Sequence, residues 1–314
     1  MSVRARRISA LVLLSALFLA LAGGGQEAKR YATTLSYQPV GDGAFVSVPL
    51  QFQDGASGNF EIDTGSDVNF ITGSLAAKLG QPSEVYTDPQ GVPYQLGNNQ
   101  SLRAVRPQFH LGGFPFKVPL IVMPPEMALP DARLEGILGT QMLGQFAVLF
   151  DFLKHQVTLY YPGNFTKADL KLAGMEGAAT LPKSNPAKFS FTIPLRLNNA
   201  AQTEVTVDTG SNHTFVPRSL IEKLHLQPVG EPITKRAAAF GNITVRRAKV
   251  SELAIGPLVL RDQEVEYSDQ TVAGLPYQLG MDILTRYRLL IDYPAGKLYL
   301  KPAAPPSPRA ASLR

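Results

Sequence analysis

The sequence contains the same tetrapeptide twice, and this duplication constrains the fold more than any other feature. Asp63-Thr64-Gly65-Ser66 recurs as Asp208-Thr209-Gly210-Ser211, 145 residues further along the chain. At this offset residues 45–79 align with residues 190–224 without a gap. The aligned pairs include Val48 with Ile193, Pro49 with Pro194, Leu50 with Leu195, Phe70 with Phe215, Ser74 with Ser219 and Leu79 with Leu224. The chain therefore holds two copies of one domain, and each copy carries its own acid.

A second stretch is also duplicated, nearer the end of each copy. Residues 138–160 align with residues 279–301 without a gap, at an offset of 141. The aligned pairs include Gly139 with Gly280, Leu143 with Leu284 and Asp151 with Asp292. We interpret the two aspartates of this stretch as structural, because neither is followed by the Thr-Gly-Ser turn.

Composition favours β structure and excludes several kinds of site. The 314 residues, 45% of them hydrophobic, are enough for two compact domains. The 27 glycines, 25 prolines and 18% charged residues are typical of a turn-rich β protein. There is no cysteine, which excludes disulfides and thiolate chemistry, and the four histidines show no ligand-like spacing. We therefore expect no metal and no cofactor. A net charge of +5 without a basic stripe or nucleic-acid motif also argues against a nucleic-acid partner.

The N-terminus has the pattern of an export signal. Three arginines among the first seven residues precede an apolar run at residues 8–22, and Ala20-Leu21-Ala22 offers a small-residue cleavage site. The run is shorter than the roughly 20 residues that span a bilayer comfortably. We predict a signal peptide at residues 1–22 and a periplasmic or secreted protein. The alternative is an uncleaved segment that anchors the protein in the membrane.

The repeats divide the rest of the chain. We expect, in order, a loose lead-in at 23–36, an N-terminal lobe at 37–161, a bridge at 162–188, a C-terminal lobe at 189–302 and a Pro-rich tail at 303–314. Residues 43–52 alternate as in a half-buried strand, and Asp54-Gly55 supplies a hairpin turn. The returning strand then ends at Asp63.

The duplicated turn has the residues that a buried carboxylate needs. An ionised carboxylate is costly to bury without hydrogen-bond donors. The glycine of each turn has no Cβ, so the backbone approaches the acid closely, and we expect the hydroxyls of Ser66 and Ser211 to donate to it. Thr64 and Thr209 can lock the turns through their own hydroxyls. The supporting residues are thus Thr64, Gly65, Ser66, Thr209, Gly210 and Ser211.

Two such turns that face each other across a pseudo-twofold axis would bring Asp63 and Asp208 together. Like charges about 3 Å apart do not both ionise, so the pair shares one proton. One acid then serves as a base and the other as an acid toward a water molecule between them.

These residues resemble those of the aspartic proteases, the pepsin-like and retropepsin-like family. The resemblance covers residues 36–302 and rests on the two turns and on the later segments Ile137-Leu138-Gly139 and Gln278-Leu279-Gly280. The second copy departs from the family pattern at Gln278, where an aliphatic residue is usual. The chain looks like a single-chain bacterial member with two lobes.

The resemblance implies an all-β fold of two homologous lobes with the active site between them. It implies peptide-bond hydrolysis by an aspartate-activated water, without a metal or a covalent intermediate. It also implies that Thr64 and Thr209 hydrogen-bond across the pseudo-twofold axis. Gly139 and Gly280 would pack beside the turns and complete psi-shaped loops.

The family closes its cleft with a flap, a hairpin from the first lobe. By position residues 88–100 are the candidate, with Tyr94 as a possible flap aromatic. An exposed loop with one surface tyrosine is the alternative. The second lobe has a shorter counterpart around Phe240-Gly241.

We predict an aspartic endopeptidase with Asp63 and Asp208 as its catalytic pair and a peptide or protein as its substrate. Because each lobe supplies one acid, a monomer should suffice. One alternative is a non-catalytic protein that keeps the fold and binds peptides or a partner in the cleft. A glycosidase is disfavoured, because its two acids are about 5 Å or more apart and need no Thr-Gly-Ser turn.

Overall fold

The computed structural model describes residues 31–40, 45–87, 91–96, 100–125, 127–237, 241–270 and 275–303. The predicted signal peptide lies outside these residues, as do parts of the predicted flap and nearly all of the predicted tail. Within the described ranges, no helix combines the length and the apolar character needed to cross a membrane.

The described chain is mostly β-strand, with short helices between the strands. The first lobe comprises β1 (Tyr31–Ser36), β2 (Gln38–Val40), β3 (Phe45–Phe52), β4 (Ser57–Ile62), β5 (Phe70–Ile71), α1 (Gly73–Lys78), β6 (Glu84–Val85), β7 (Gln95–Leu96), β8 (Gln100–Ser101), β9 (Arg103–Val105), β10 (Phe109–Leu111), β11 (Phe114–Phe116), β12 (Leu120–Val122), β13 (Leu134–Leu138), α2 (Thr140–Leu143), β14 (Ala147–Asp151) and β15 (Gln156–Tyr161). A 3₁₀ turn at Phe152–Lys154 joins the last two strands.

The bridge and the second lobe also consist of strands with short helices between them. They comprise α3 (Lys167–Leu172), β16 (Ala179–Pro182), β17 (Thr192–Leu197), β18 (Ala201–Val207), α4 (Arg218–Lys223), β19 (Pro228–Ala237), β20 (Gly241–Ile255), β21 (Leu258–Ser268), β22 (Gln278–Leu279), α5 (Met281–Leu284), β23 (Tyr287–Asp292) and β24 (Lys297–Pro302). The prediction of an all-β fold with two homologous lobes is confirmed.

Each lobe has its own sheet, built on a hairpin that precedes the repeated turn. In the first lobe β3 alternates between the core and solvent in its second half and pairs with β4 around a turn at Asp54-Gly55. Gly55 has a φ of +88°, which glycine adopts without strain. In the second lobe β17 and β18 pair in the same way. Both hairpins therefore end in the strand that carries the acid.

A third, six-stranded sheet joins the lobes in the order β1-β15-β14-β23-β24-β16. At its centre β14 of the first lobe pairs antiparallel with β23 of the second, with Val148 opposite Ile291 and Leu149 opposite Leu290. Val148 and Ile291 are fully buried and belong to a core cluster with residues of both lobes. Apolar burial of this kind favours association by about 25 cal/mol per Å². The shared sheet therefore fixes one lobe against the other.

The expectation of a loose lead-in is wrong for residues 31–36, which form β1. This strand pairs with β15 along its whole length, from Tyr31 opposite Tyr161 to Ser36 opposite Gln156. β1 is an edge strand that pairs only with β15, and most of its residues are exposed. Its sequence therefore lacks the apolar alternation of a half-buried strand.

The segment predicted as a bridge has structure of its own. It contains α3, which begins with a capping box between Thr166 and Asp169. It also contains β16, which extends the shared sheet by pairing with β24, so that Leu181 lies opposite Leu298. The bridge thus adds an edge strand to the sheet that joins the lobes.

Candidate active site

Each acid lies at the end of a strand that pairs in parallel with the strand of the later glycine segment. Asp63 follows β4, whose parallel neighbour is β13, and its N–H donates to the carbonyl of Leu138 at 3.0 Å. Asp208 follows β18, whose parallel neighbour is β22, and its N–H donates to the carbonyl of Leu279 at 3.0 Å. The two lobes therefore hold their acids with the same backbone hydrogen bond.

Gly139 and Gly280 lie where the chain passes directly over the turns. A Cβ on Gly139 would lie 2.3 Å from the carbonyl oxygen of Val68, and one on Gly280 would lie 2.5 Å from the carbonyl carbon of His213. No larger residue fits such an approach without a shift of the backbone. The first residue of each following helix then donates its N–H to the serine carbonyl of the turn, at 2.8 Å in both lobes.

Backbone N–H groups hold the two carboxyl groups. Oδ1 of Asp63 accepts from the N–H of Gly65 at 2.8 Å and of Ser66 at 3.1 Å. Oδ1 of Asp208 accepts from the N–H of Gly210 at 2.8 Å. Such donors favour the charged form of a buried carboxyl group.

The serine hydroxyls do not contact the acids. Ser66 Oγ donates to the carbonyl of Val68 at 2.9 Å, and Ser211 Oγ donates to the carbonyl of His213 at 2.9 Å. Our expectation that these hydroxyls donate to the carboxylates is therefore wrong. Each hydroxyl satisfies a carbonyl of its own turn, and the backbone N–H groups serve the acid instead.

Thr64 and Thr209 connect the two turns. The N–H of Thr64 donates to Oγ1 of Thr209 at 3.1 Å, and the N–H of Thr209 donates to Oγ1 of Thr64 at 3.0 Å. Each hydroxyl also donates across the lobe boundary, Thr64 to the carbonyl of Val207 and Thr209 to that of Ile62, both at 2.7 Å. Both threonines are fully buried. The hydrogen bonds that the resemblance implies are present.

Each turn glycine faces the acid of the other lobe. A Cβ on Gly65 would lie 2.3 Å from Cγ of Asp208, and a Cβ on Gly210 would lie 2.5 Å from Cγ of Asp63. The two carboxyl groups themselves are within hydrogen-bonding distance of each other. The fold thus brings the predicted pair together.

Burial raises the pKa of both acids, but the opposing contacts differ. Asp208 is 3% exposed, and after burial the negative charge of Asp63 is the largest cause that raises its pKa well above the ordinary value. The pKa of Asp63 rises less, because the N–H groups of Gly65 and Ser66 and a hydrogen bond from Asp208 oppose the effect of burial. These contacts favour the charged form of Asp63 more than that of Asp208.

The side-chain amide of Gln278 also contacts the pair. Its Nε2 donates to Oδ2 of Asp208. Sequence analysis identified this residue only as a departure from an aliphatic position. The available signal was a polar residue at the position where the first copy has Ile137, in the strand parallel to that of Asp208.

Sequence reasoning missed two further buried polar groups, the carboxyl group of Glu61 and the hydroxyl of the half-buried Tyr293. Glu61 is 2% exposed, and neither its Oε1 nor the hydroxyl of Tyr293 has a hydrogen-bond partner among the described residues. Burial, and then the charges of Asp63 and Asp208, raise the pKa of Glu61 well above its ordinary value. The same causes raise the pKa of Tyr293. The signal for Glu61 in the sequence was an acid between the apolar residues Phe60 and Ile62, two residues before Asp63.

The Glu61→Gln variant is expected to gain stability over the wild type as the pH rises. The folded-state pKa of Glu61 is raised, so above its ordinary value of 4.5 the unfolded chain loses this proton while the folded protein keeps it. Wild-type stability therefore falls as the pH rises between the two pKa values, by about 1.4 kcal/mol per unit of elevation. Glutamine does not titrate and escapes this loss.

Urea unfolding at a series of pH values from acidic to neutral would measure the difference in free energy of unfolding. Glu176→Gln makes the same chemical change at an exposed position and serves as the control. A difference between Glu61→Gln and the wild type that stays constant with pH would contradict the prediction.

The predicted flap residue Tyr94 packs against Tyr86. The two ring centroids are 5.0 Å apart, and the N–H of Tyr94 donates to the carbonyl of Tyr86 at 3.0 Å. The hydroxyl of Tyr86 accepts from Nε2 of Gln141 at 2.8 Å, at the beginning of α2. Parts of the predicted flap, and Phe240 of its counterpart, lie outside the described residues. The flap stays a prediction.

Asp151 and Asp292 make contacts that support a structural role. Asp292 is fully buried and accepts the N–H groups of Asn164 at 2.9 Å and Phe165 at 2.7 Å. Asp151 lies 3.0 Å from Nε of Arg288, across the lobe boundary. Within the described part of the chain, no group of three or more His, Asp or Glu side chains is arranged to bind a metal ion.

The fold and the facing acids define an all-β protein with two lobes and a paired-carboxyl site. A sequence model of the aspartyl protease family matches residues 48–142 and 193–283, which is more than half of the chain. Each matched region contains one Asp-Thr-Gly-Ser turn and one later glycine segment. Comparison with curated proteins gave no match. The chain belongs to the aspartyl protease family.

Proposed function

We propose that this protein is an aspartic endopeptidase that hydrolyses peptide bonds with a water molecule activated by Asp63 and Asp208. The observation that carries the proposal is the contact of two carboxyl groups across a pseudo-twofold axis, each of which accepts at least one backbone N–H of its own turn. A pair in this contact holds one proton and one negative charge, which are the two things that a general acid and a general base require.

In the proposed reaction the charged Asp63 removes a proton from water as the water oxygen bonds to the peptide carbonyl carbon. Asp208 gives its proton to the carbonyl oxygen, so that a neutral diol forms. Asp63 then passes its proton to the amide nitrogen as the C–N bond breaks, and a diol hydroxyl returns a proton to Asp208. The products are a carboxylic acid and an amine, and the pair regains its starting state.

The surroundings of the pair support this chemistry. The buried Thr64 and Thr209 hold the turns together, so that the two acids need no reorganisation during the reaction. The contact between the acids disfavours a glycosidase, which needs about 5 Å or more between its carboxyl groups.

The proposal extends to substrate, assembly and location. The substrate is a peptide or an unfolded protein segment that enters the cleft between the lobes. A monomer is active, because one chain supplies both acids. The export signal proposed for residues 1–22 directs the protein to the periplasm or beyond.

The test is incubation of the signal-free protein with a denatured protein across acidic to neutral pH, with fragments identified by mass spectrometry. We expect cleavage that a statine-type inhibitor blocks and that EDTA leaves unchanged. Absence of cleavage at every pH by a folded protein that binds peptides tightly would instead favour a non-catalytic binding protein.

A further inference from the structure

Gln278 lies in a rigid position between two strands of the second lobe. It begins β22, whose parallel neighbour is β18, with Thr206 opposite Gln278. On its other side the N–H and carbonyl of Gln278 both bond to the backbone of Phe215 at 2.9 Å. Because the backbone of Gln278 is hydrogen-bonded to Phe215 and lies beside β18, its position is well fixed. The half-buried side chain reaches Oδ2 of Asp208 from there.

The two lobes differ at this position. In the sequence repeat Gln278 corresponds to Ile137, which is 5% exposed and lies in an apolar cluster with Phe70 and Ile121. An isoleucine offers no donor, and Asp63 receives both of its N–H groups from the backbone of its own turn. The matched sequences of the two turns therefore do not give the two acids the same surroundings.

Asp208 obtains its two donors in another way. Among the described contacts one backbone N–H, that of Gly210, reaches Oδ1, and the Gln278 amide reaches Oδ2. The amide thus occupies the oxygen that the turn leaves without a backbone donor. It opposes the effects of burial and of Asp63 on the pKa of Asp208, because a donor favours the charged form.

We propose that Gln278 is a positioning residue of the aspartate pair, which holds Oδ2 of Asp208 and sets the upper end of the pH range in which the pair shares one proton. This inference rests on the proposed function. The other titratable groups that face the pair are Glu61 on β4 and Tyr293 after β23, with Asp67 close to Asp63. None of these groups is altered when Gln278 is replaced.

The test compares the wild type with Gln278→Met, which keeps the length of the side chain and removes the amide. Gln202→Met makes the same change at an exposed position of β18 and serves as the control. The pH profile of kcat/KM is measured on a peptide taken from an observed cleavage site.

We expect the upper limb of the Gln278→Met profile to move to higher pH, because the charged form of Asp208 has lost a donor. We also expect kcat to fall about tenfold with KM nearly unchanged, since the amide acts on the acid and not on the substrate. The control should retain the wild-type profile. A Gln278→Met enzyme with the upper limb and kcat of the wild type would overturn the inference.

Two further measurements keep this test independent of folding and of the proposed function. Gln278→Ala removes the amide and introduces a smaller side chain, which cannot clash with its neighbours. This variant is used in place of Gln278→Met if Gln278→Met does not fold. Titration of the carboxyl groups by ¹³C NMR does not require activity. An unchanged titration of Asp208 in the variant overturns the role of Gln278, whereas an inactive wild type with a shifted titration in the variant overturns only the endopeptidase proposal.

Discussion

Loss of kcat by about 10³-fold or more is the expected result of Asp63→Asn, and the same holds for Asp208→Asn. One remaining carboxyl group cannot supply the proton and the charge at the same time. The nearby Glu61 is a poor source of the missing negative charge, because it is buried and its pKa is raised well above the ordinary value. The rate of peptide cleavage under single-turnover conditions would measure the loss.

Neither variant is expected to unfold. Asparagine has nearly the shape of aspartate, and the replacement of Asp208 removes a carboxyl group whose pKa burial and Asp63 raise. The free energy of unfolding near neutral pH should therefore equal or exceed that of the wild type. Asp262→Asn is the matched control, since Asp262 is exposed and its positive φ suits asparagine. Cleavage at the wild-type rate by Asp63→Asn would rule out the proposed mechanism.

Gly65→Ala is expected to cause the second large loss of activity. The added methyl group would lie 2.3 Å from Cγ of Asp208, closer than real atoms approach, so one turn must move away from the other. A displacement of about 1 Å at the reacting groups costs on the order of 10²-fold in rate. Gly210→Ala should behave alike, because its methyl group would lie 2.5 Å from Cγ of Asp63.

Kinetics and thermal unfolding of Gly65→Ala would test this expectation. We expect a fall of at least about 100-fold in kcat/KM, together with a loss of about 1–3 kcal/mol in stability from the crowded interface. Gly73→Ala is the control, since a Cβ there meets nothing within 4 Å. Activity of Gly65→Ala equal to that of the control would show that the two turns do not face each other as described.

The sequence alone determined the two lobes and the two acids. A gapless repeat requires two copies of one fold, and an acid that follows an apolar strand and precedes Thr-Gly-Ser occurs once in each copy. The positions of Gly139 and Gly280 could also be identified from the sequence repeat. These features depend on local patterns that recur, and a recurring pattern can be recognised without knowing what it packs against.

The surroundings of the acids were decided by tertiary structure alone. The serine hydroxyls turn to backbone carbonyls, and the donors come from the turn backbone and from Gln278, which lies 70 residues from Asp208 in the sequence. The buried Glu61 feels the charges of one acid from each lobe, Asp63 and Asp208. Strand β1 is held by backbone pairing with β15, a partner more than 100 residues away in the sequence. Hydrogen-bond partners and burial depend on distances between segments far apart in the chain, which a single-sequence pattern does not contain.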